Sequence, residues 1–341
     1  MQFGEHFFVG QSQPIRKIKD LIRHVANSDL NVLICGETGV GKEVVAHALH
    51  FMSDRRNRLL IKVNCAAIPA QLLESELFGY EKGAFTGAEA RKIGKFELAH
   101  KSTILLDEIA DMPLPLQAKM LQVLQDLRFS RLGGKKDIQV DCWVLAATNQ
   151  EIEHRIKQGL FREDLYYRLN IIRIYIPPLR ERKEDIEPLI HYFAQQSAAR
   201  VERPRFHFDD NGVVQFLREY SWPGNVRELR STVNRLILLG DWPAVKAELM
   251  ARASGVLESR QKPKVVTSPD ESLLDETAGR QFPSLKDVKR RAVQEAESKL
   301  IRSVLIETGW NRKKAASILQ ISYKALLYKI KQYEVDQRQV L

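Results

Sequence analysis

The chain has 341 residues, of which 44% are hydrophobic and 28% are charged, a composition ordinary for a soluble globular protein of two or three domains. Its sequence has no apolar run of the ~20 residues that span a bilayer, and its first ten residues lack the basic start and long apolar stretch of a signal peptide, which argues against membrane insertion and secretion. The net charge of +10 is concentrated in residues 281–341, which hold 13 Lys and Arg against 6 Asp and Glu and suit a polyanion partner as well as they suit a solvated surface.

Between residue 7 and about residue 240, apolar runs alternate with amphipathic stretches. Strands separated by helices are typical of an α/β domain with a mostly parallel sheet that helices cover on both faces. The predicted strands are 30–35, 59–64, 103–107 and 140–148, and the clearest helical spacing is at 43–51 and 114–127.

Around residue 177 the pattern changes to helices only, which predicts a small helical lid after the α/β core. A later stretch rich in Ser, Pro, Gly, Lys and Glu is typical of a flexible linker, and the last segment is helical again. The predicted domains are an α/β core over 1–175, a helical lid subdomain over 176–250, a linker over 251–281 and an all-α domain over 282–341.

Three cysteines, Cys35, Cys65 and Cys142, lie far apart in apolar or strand-like segments. An odd, sparse set of this kind is typical of a reducing compartment rather than of a disulfide framework. We therefore predict a cytoplasmic protein with buried, inert thiols.

Residues 36–42 fit the phosphate-loop pattern GxxxxGK between a predicted strand and a predicted helix. Glycines let the backbone N–H groups turn towards phosphate oxygens at a helix N-terminus, and Lys42 can reach the β- and γ-phosphates. Glu43 stands where Ser or Thr usually contacts Mg²⁺. The alternative is a glycine-rich turn that binds nothing. The candidate nucleotide-binding residues here are Gly36, Glu37, Thr38, Gly39, Val40, Gly41, Lys42 and Glu43.

The predicted strand at 103–107 ends in two acids. Asp107 can hold Mg²⁺ through water, and Glu108 can polarise the attacking water. Adjacent carboxylates alone are a common accident, but after a phosphate loop at this distance they indicate catalysis. Asn149, which follows Thr148 at the end of another apolar strand, can sense the γ-phosphate.

Three arginines complete the pattern of a ring-forming ATPase. Arg162 and Arg168 are spaced to lie near one edge of the domain, where they could reach the ATP of a neighbouring subunit. The alternative is a surface salt-bridge cluster with Glu163 and Asp164. Arg227, in the predicted lid, could close over the nucleotide.

Residues 83–88 read GAFTGA, which places one aromatic residue among small ones. This pattern predicts a mobile loop with a single apolar anchor, suited to contact with a partner. The residue types alone equally allow a plain glycine turn. The candidate contact residues are Gly83, Ala84, Phe85, Thr86, Gly87 and Ala88.

Together these motifs resemble the sigma-54 activator branch of the AAA+ ATPases, whose hallmark is GAFTGA. The resemblance runs from about residue 8 to residue 240 and resumes at the C-terminus. It implies an AAA+ P-loop NTPase fold, ATP with Mg²⁺ as cofactors, and a loop that contacts sigma-54 when ATP is bound. It also implies a homo-oligomer, from dimer to hexameric ring, that remodels the closed complex of sigma-54 RNA polymerase so that DNA opens.

The resemblance assigns further roles to single residues. Asn64, in VNCAAI, matches the switch residue that holds Glu108 away from water until the γ-phosphate is sensed. Arg162 and Arg168 match the fingers that act on the next subunit, and Arg227 matches the lid sensor. The GKE sequence is common in this branch, and residues 9–10 match the segment around the adenine.

Near the C-terminus, Asn311 precedes a short helix, and a basic second helix starts near Tyr323. Two short helices around a tight turn predict a helix-turn-helix, which resembles the Fis-type domain of the same activators apart from Gln320 in the turn. The alternative is a helical hairpin without a nucleic-acid role. The candidate contacts to double-stranded DNA upstream of promoters are Ser322, Tyr323, Lys324 and Tyr328. An apolar stripe over 285–307 predicts a long helix before this pair.

The ATPase pattern begins near residue 8, which leaves no room for a preceding regulatory domain and resembles the phage-shock type of activator, restrained by a separate inhibitory protein. Control by concentration or by another partner is also open. Two other functions are possible. The chain could be an AAA+ remodeller of another target, such as a chaperone or loader, or a DNA-binding regulator with a silent ATPase.

Overall fold

The computed structural model describes residues 8–199, 206, 208, 211–253, 297, 301–305, 308–319 and 321–332. The chain divides into two compact units, Met1–Lys262 and Pro263–Leu341. Among the described residues, no helix is both long enough and apolar enough to cross a bilayer.

A parallel sheet organises the first unit, and its five strands are β1 (Val32–Cys35), β2 (Ile61–Asn64), β5 (Ser102–Asp107), β8 (Cys142–Thr148) and β9 (Ile172–Tyr175). The strands lie in the order β2-β5-β8-β1-β9. The prediction of a mostly parallel sheet is confirmed, and its four predicted strands are all present. The edge strand β9 was not predicted.

Two antiparallel hairpins lie outside the sheet. They are formed by β3 (Gly79–Tyr80) with β4 (Lys92–Ile93), and by β6 (Arg128–Ser130) with β7 (Asp137–Gln139).

Helices cover both faces of the sheet because successive strand residues point to opposite sides and both sides are apolar. Leu33 of β1 belongs to one buried cluster, whereas its neighbours Val32 and Ile34 belong to the other. The helices of this domain are α1 (Gln13–Val25), α2 (Lys42–Met52), α3 (Ala70–Phe78), α4 (Lys95–Leu98), α5 (Leu114–Asp126), α6 (Ile152–Lys157) and α7 (Glu163–Leu169).

The three cysteines are free and buried, as predicted. Burial raises the pKa of all three thiols, to about 12 for Cys65 and Cys142. Since the thiolate is the reactive form, these side chains are inert at neutral pH.

The predicted helical lid is confirmed, and its core is centred on Trp222. This ring is fully buried, and its indole N–H donates to the Leu217 carbonyl at 2.7 Å. The third lid helix ends at Gly240, whose φ of 73° suits a left-handed helix cap. The lid helices are α8 (Ile186–Ala198), α9 (Asn211–Glu219), α10 (Asn225–Leu239) and α11 (Trp242–Ala253).

The second unit contains the two predicted short helices, α12 (Arg312–Ile318) and α13 (Tyr323–Gln332). Asn311 caps α12 by accepting a hydrogen bond from the Lys314 N–H at 3.2 Å. Of the long helix predicted over 285–307, residues 301–305 are helical and most of the remainder lies outside the described residues, as does Gln320.

Candidate functional site

The phosphate loop connects β1 to the N-terminus of α2. Gly36, Gly39 and Gly41 all have positive φ, between 84° and 150°, which side chains disfavour. The Lys42 ammonium donates to the carbonyls of Gly36 at 3.0 Å and Glu37 at 3.4 Å. The lysine is thereby folded back over the loop that carries it.

This arrangement fits the phosphate chain of a nucleotide. The N-terminus of the 11-residue α2 favours an anion, and the Lys42 ammonium lies beside it. Asp107 is the last residue of β5, and Glu108 follows it. Mg²⁺ is usually held by one or two carboxylates together with phosphates and water, and Asp107 is the carboxylate available for this role.

Glu108 lies directly against the loop lysine. Its Oε1 is 3.4 Å from the Lys42 ammonium, and its Oε2 accepts the backbone N–H of Asn149 at 2.9 Å. Its φ of 52° and ψ of 51° place it in the left-handed region, where a non-glycine residue is strained. Backbone strain of this kind is characteristic of functional sites.

Asn64 and Asp107 are paired across β2 and β5. The Asn64 side-chain N–H is 3.5 Å from the Asp107 carboxylate, and its oxygen accepts from the N–H groups of Ala66 and Ala67 at 3.0 Å. In this structure Asn64 therefore contacts Asp107 rather than Glu108, the partner that the resemblance implied.

Asn149 and Glu43 make further contacts around the phosphate loop and Asp107. The Asn149 side-chain N–H donates to the Thr38 hydroxyl at 2.9 Å, which joins the end of β8 to the phosphate loop. Glu43 forms an ion pair with Lys62 at 2.6 Å, and that hydrogen bond lowers the pKa of Glu43. The Lys62 ammonium is also 3.6 Å from Asp107.

The lid contacts the phosphate loop through residues that no local sequence pattern marks. Arg180 donates to both oxygens of Glu37, at 2.9 and 2.5 Å, and Asn225 donates to one of them at 3.1 Å. The Arg180 hydrogen bond, assisted by that of Asn225, lowers the pKa of Glu37. Arg182, which is buried, donates to the Val40 carbonyl at 2.9 Å.

Arg227 follows at the start of α10, where its backbone N–H donates to the Gly39 carbonyl at 3.3 Å. Its exposed side chain therefore starts beside the phosphate loop. Of residues 9–10, Val9 packs against the lid core and the Gly10 carbonyl accepts from Lys19 at 2.7 Å.

Gly39→Ala is expected to weaken nucleotide binding at least about tenfold, because a Cβ at this position would lie 2.4 Å from the Gly224 carbonyl and push the lid off the loop. Gly159→Ala is the matched control, since Gly159 also has positive φ but nothing within 4 Å of its added Cβ. Titration with a fluorescent ADP analogue measures both. Equal affinities for the two variants would contradict the prediction.

The two candidate finger arginines differ in their contacts. Arg162 immediately precedes α7 and is exposed, with an ion pair to Asp164 at 2.7 Å, as in the salt-bridge alternative. Arg168 donates to the Leu124 carbonyl at 3.0 and 3.2 Å. Arg162 therefore has the more available side chain.

GAFTGA forms the tip of the β3–β4 hairpin. Gly83 and Gly87 have φ of 82° and 99°, and a Cβ on either would meet no atom within 4 Å. Phe85 is 45% exposed and packs edge-on against Tyr80, with the ring centroids 4.9 Å apart, so it is exposed but not unpaired. Ala88 is buried.

The second hairpin supports this tip. Arg131 pairs with Glu81 at 2.5 Å, just before the tip, and with Glu97 at 2.6 Å. Gly133 approaches Ala84 so closely that a Cβ on it would be 2.9 Å from the Ala84 Cβ.

The four candidate DNA-contact residues lie at the start and along the exposed side of α13. Tyr323 is 44% and Tyr328 70% exposed, and Lys324 is exposed. The Ser322 hydroxyl accepts the Ala325 N–H at 3.1 Å and thus also caps α13.

Three families match successive parts of the chain. Residues 8–175 match the Sigma-54 interaction domain, residues 180–265 the AAA+ ATPase lid domain, and residues 292–333 the Bacterial regulatory protein, Fis family.

The chain is also similar to characterised proteins. It is 41% identical to the regulatory protein AtoC of Escherichia coli over 92% of its own length and 64% of AtoC. It is 38% identical to the DNA-binding transcriptional regulator NtrC of Rhizobium meliloti over 96% of its length and 70% of NtrC. The chain therefore spans about two thirds of the length of these relatives.

A solved structure shows the same fold. NtrX from Brucella abortus, crystallised in complex with ADP, superposes with a TM-score of 0.63 at 33% sequence identity, covering 97% of this chain and 70% of that one. The AAA+ fold with lid and helix-turn-helix is therefore confirmed. This chain belongs to the sigma-54-dependent family of transcriptional regulators, which joins a sigma-54 interaction domain of the AAA+ type to a Fis-type DNA-binding region.

Proposed function

We propose that this chain is an ATP-driven transcription activator that binds DNA upstream of promoters and remodels the closed complex of sigma-54 RNA polymerase into an open complex. The observation that carries the proposal is the GAFTGA hairpin tip, with Phe85 exposed, in the same domain as the Lys42, Asp107 and Glu108 centre. A DNA-binding regulator with a silent ATPase would not need that centre, and a remodeller of another target would not need this tip.

In the proposed reaction, the N–H groups of the phosphate loop and the Lys42 ammonium bind and orient the phosphates of ATP. Glu108 accepts a proton from the attacking water, and Asn149 senses the γ-phosphate while tied to Thr38 at 2.9 Å. Mg²⁺, held at Asp107 through water, would neutralise charge on the phosphates. Arg227, in the lid, closes over the nucleotide.

Motion is proposed to pass from the ATP centre to the hairpin through α3. Asn64 contacts Asp107 and also receives the N–H groups of Ala66 and Ala67, in the segment that leads into α3. This helix runs directly into β3 and hence into the GAFTGA tip. A change in the partner of Asn64 during hydrolysis would therefore move the base of the hairpin.

The remaining parts of the proposal concern assembly and control. Arg162 and Arg168 act on the ATP of the next subunit in a ring, which makes a homo-oligomer necessary for turnover. Ser322, Tyr323, Lys324 and Tyr328 hold the protein on DNA, and control by a separate inhibitory protein is a further part of the proposal. The domain limits remain those of the sequence prediction, 1–175, 176–250, 251–281 and 282–341.

Thr86→Ala is expected to abolish open-complex formation while ATP hydrolysis continues, because Thr86 is exposed in the GAFTGA tip, whereas hydrolysis is assigned to Lys42 and Glu108. The measurement is promoter opening by sigma-54 polymerase with ATP, alongside phosphate release. Glu89→Ala, an exposed truncation just beyond the motif, is the control that should still open the promoter. If the wild type consumes ATP and opens no sigma-54 promoter, the target is another assembly and the proposal is wrong.

A further inference from the structure

Asn225, the first residue of α10, is fully buried, and its side-chain amide joins three parts of the molecule. Its N–H group donates to the Glu37 carboxylate and to the Thr38 carbonyl, both at 3.1 Å. Its oxygen accepts the backbone N–H of Leu179 at 2.8 Å. The amide thus connects the phosphate loop to the segment that begins the lid and to α10.

The next residue of that segment contacts the same carboxylate. Arg180 donates to both oxygens of Glu37, so the side chains of residues 37, 180 and 225 and the backbone of residue 179 form one closed set of contacts. We call this set the lid latch. Two of its members, Glu37 and Asn225, are 188 positions apart in the sequence. The lid latch therefore connects elements that are far apart along the chain.

The backbone at Asn225 is also unusual. Its φ is 53°, in the left-handed region that non-glycine residues rarely occupy and that Asn tolerates better than most. Asn225 is fully buried, and its amide hydrogen-bonds the phosphate loop and the lid. These contacts hold the residue in a backbone conformation that it would otherwise disfavour.

The latch fixes the start of α10, and Arg227 lies two residues further on. The Arg227 backbone N–H donates to the Gly39 carbonyl at 3.3 Å, and its Cβ is 3.2 Å from where a Cβ on Gly39 would stand. Asn225 thus contacts residues 37 and 38 of the phosphate loop, and Arg227 contacts the next residue, Gly39. If the Asn225 amide no longer hydrogen-bonds the loop, Arg227 is no longer held against it.

We propose that Asn225 is a positioning residue for Arg227, and that the lid latch controls how fast nucleotide leaves the site. The inference rests on the proposed ATP-binding function. If the wild-type chain binds no nucleotide, the proposed ATP-binding function is itself wrong. If it binds nucleotide, the variants test the lid latch separately from that function.

Asn225→Asp is the direct test in the full chain. The replacement has the same shape and still accepts from Leu179, but it cannot donate to Thr38 and it places a second carboxylate beside Glu37. We expect a fluorescent ADP analogue to dissociate about 10- to 100-fold faster, with KM for ATP raised more than kcat is lowered. Glu37→Gln keeps an acceptor for Asn225 and loses only an exposed ion pair, so about a two- to fivefold effect is expected.

The double variant Asn225→Asp with Glu37→Gln separates positioning from general damage. The amide introduced at position 37 can donate to the carboxylate introduced at position 225, which reverses the direction of the lost hydrogen bond. ADP release should therefore slow again by about threefold or more relative to Asn225→Asp alone. Asn234→Asp, on the same helix, is the matched control, because within the described part of the chain the Asn234 side chain accepts one hydrogen bond, from Ser197, and Asp can do the same.

Thermal unfolding of each variant completes the experiment. Faster ADP release with partial recovery in the double variant, at similar melting temperatures, supports the inference. If Asn225→Asp only lowers the melting temperature, or if the double variant releases ADP as fast as the single one or faster, Asn225 is structural and the inference is overturned. A wild-type chain that retains no ADP analogue overturns this inference together with the proposed ATPase.

Discussion

Replacing Glu108 with Gln is expected to lower ATP hydrolysis by about 100- to 10,000-fold while nucleotide affinity stays within a few fold of the wild type. The amide cannot take a proton from the attacking water, so the step assigned to Glu108 is lost. It can still accept from the Asn149 N–H, at 2.9 Å in the wild type, so the geometry of the centre is preserved. Loss of turnover without loss of binding is therefore specific to a general base.

The measurement pairs steady-state phosphate release with titration of a fluorescent ADP analogue. Asp111→Asn is the control, since Asp111 is a nearby acid that accepts from Gln150 at 2.8 Å and makes no contact with Lys42. It should retain turnover within a few fold. Should Glu108→Gln hydrolyse ATP almost as fast as the wild type, another residue activates the water and the assignment of Glu108 is wrong.

The α/β core was predictable because its buried strands are continuous apolar runs. The run at 140–148 contains the whole of β8, in which every residue is buried. By contrast, β9 is a four-residue edge strand with only Ile174 buried, and its alternating pattern is too short to separate from the lid that follows. The sequence thus predicted the centre of the sheet better than its edge.

The ATP centre was partly predictable, for a related reason. The phosphate loop and the acids at 107–108 are local patterns, each read from a few consecutive residues. The contact between Asn64 and Asp107 depends on strand order, because β2 pairs with β5 although α3 and further elements separate them in sequence. The lid latch has no local signal, because Glu37, Arg180 and Asn225 are brought together only by the fold.

The two finger arginines were equivalent in the sequence and differ in the structure. The Arg168 guanidinium donates to the Leu124 main-chain carbonyl, whereas the Arg162 guanidinium pairs with the exposed side chain of Asp164. Because water screens an exposed ion pair, this contact opposes release of Arg162 to another acceptor only weakly. Arg162 is therefore the better candidate for reaching an adjacent ATP.

Arg162→Ala is expected to lower ATP hydrolysis by about 1,000-fold or more, the usual contribution of an arginine finger. The loss should be repaired by mixing with Lys42→Ala, itself inactive because it cannot bind the phosphates. In the proposed ring, an intact ATP site from one variant can meet an intact Arg162 from the other. With random mixing of equal amounts, roughly a quarter of the subunit boundaries are complete, so the mixture should regain a comparable fraction of wild-type turnover.

Phosphate release by each variant alone and by the mixture measures this recovery, and Arg168→Ala mixed with Lys42→Ala tests the second candidate in the same way. Dilution of the mixture should abolish the recovered activity, because the completed site exists only in the assembly. Two variants that stay inactive when mixed, while sedimentation shows that they co-assemble, would place Arg162 in its own subunit's site. Recovery can arise only if one subunit supplies the phosphate loop and its neighbour the arginine, which makes the ring itself the catalytic unit.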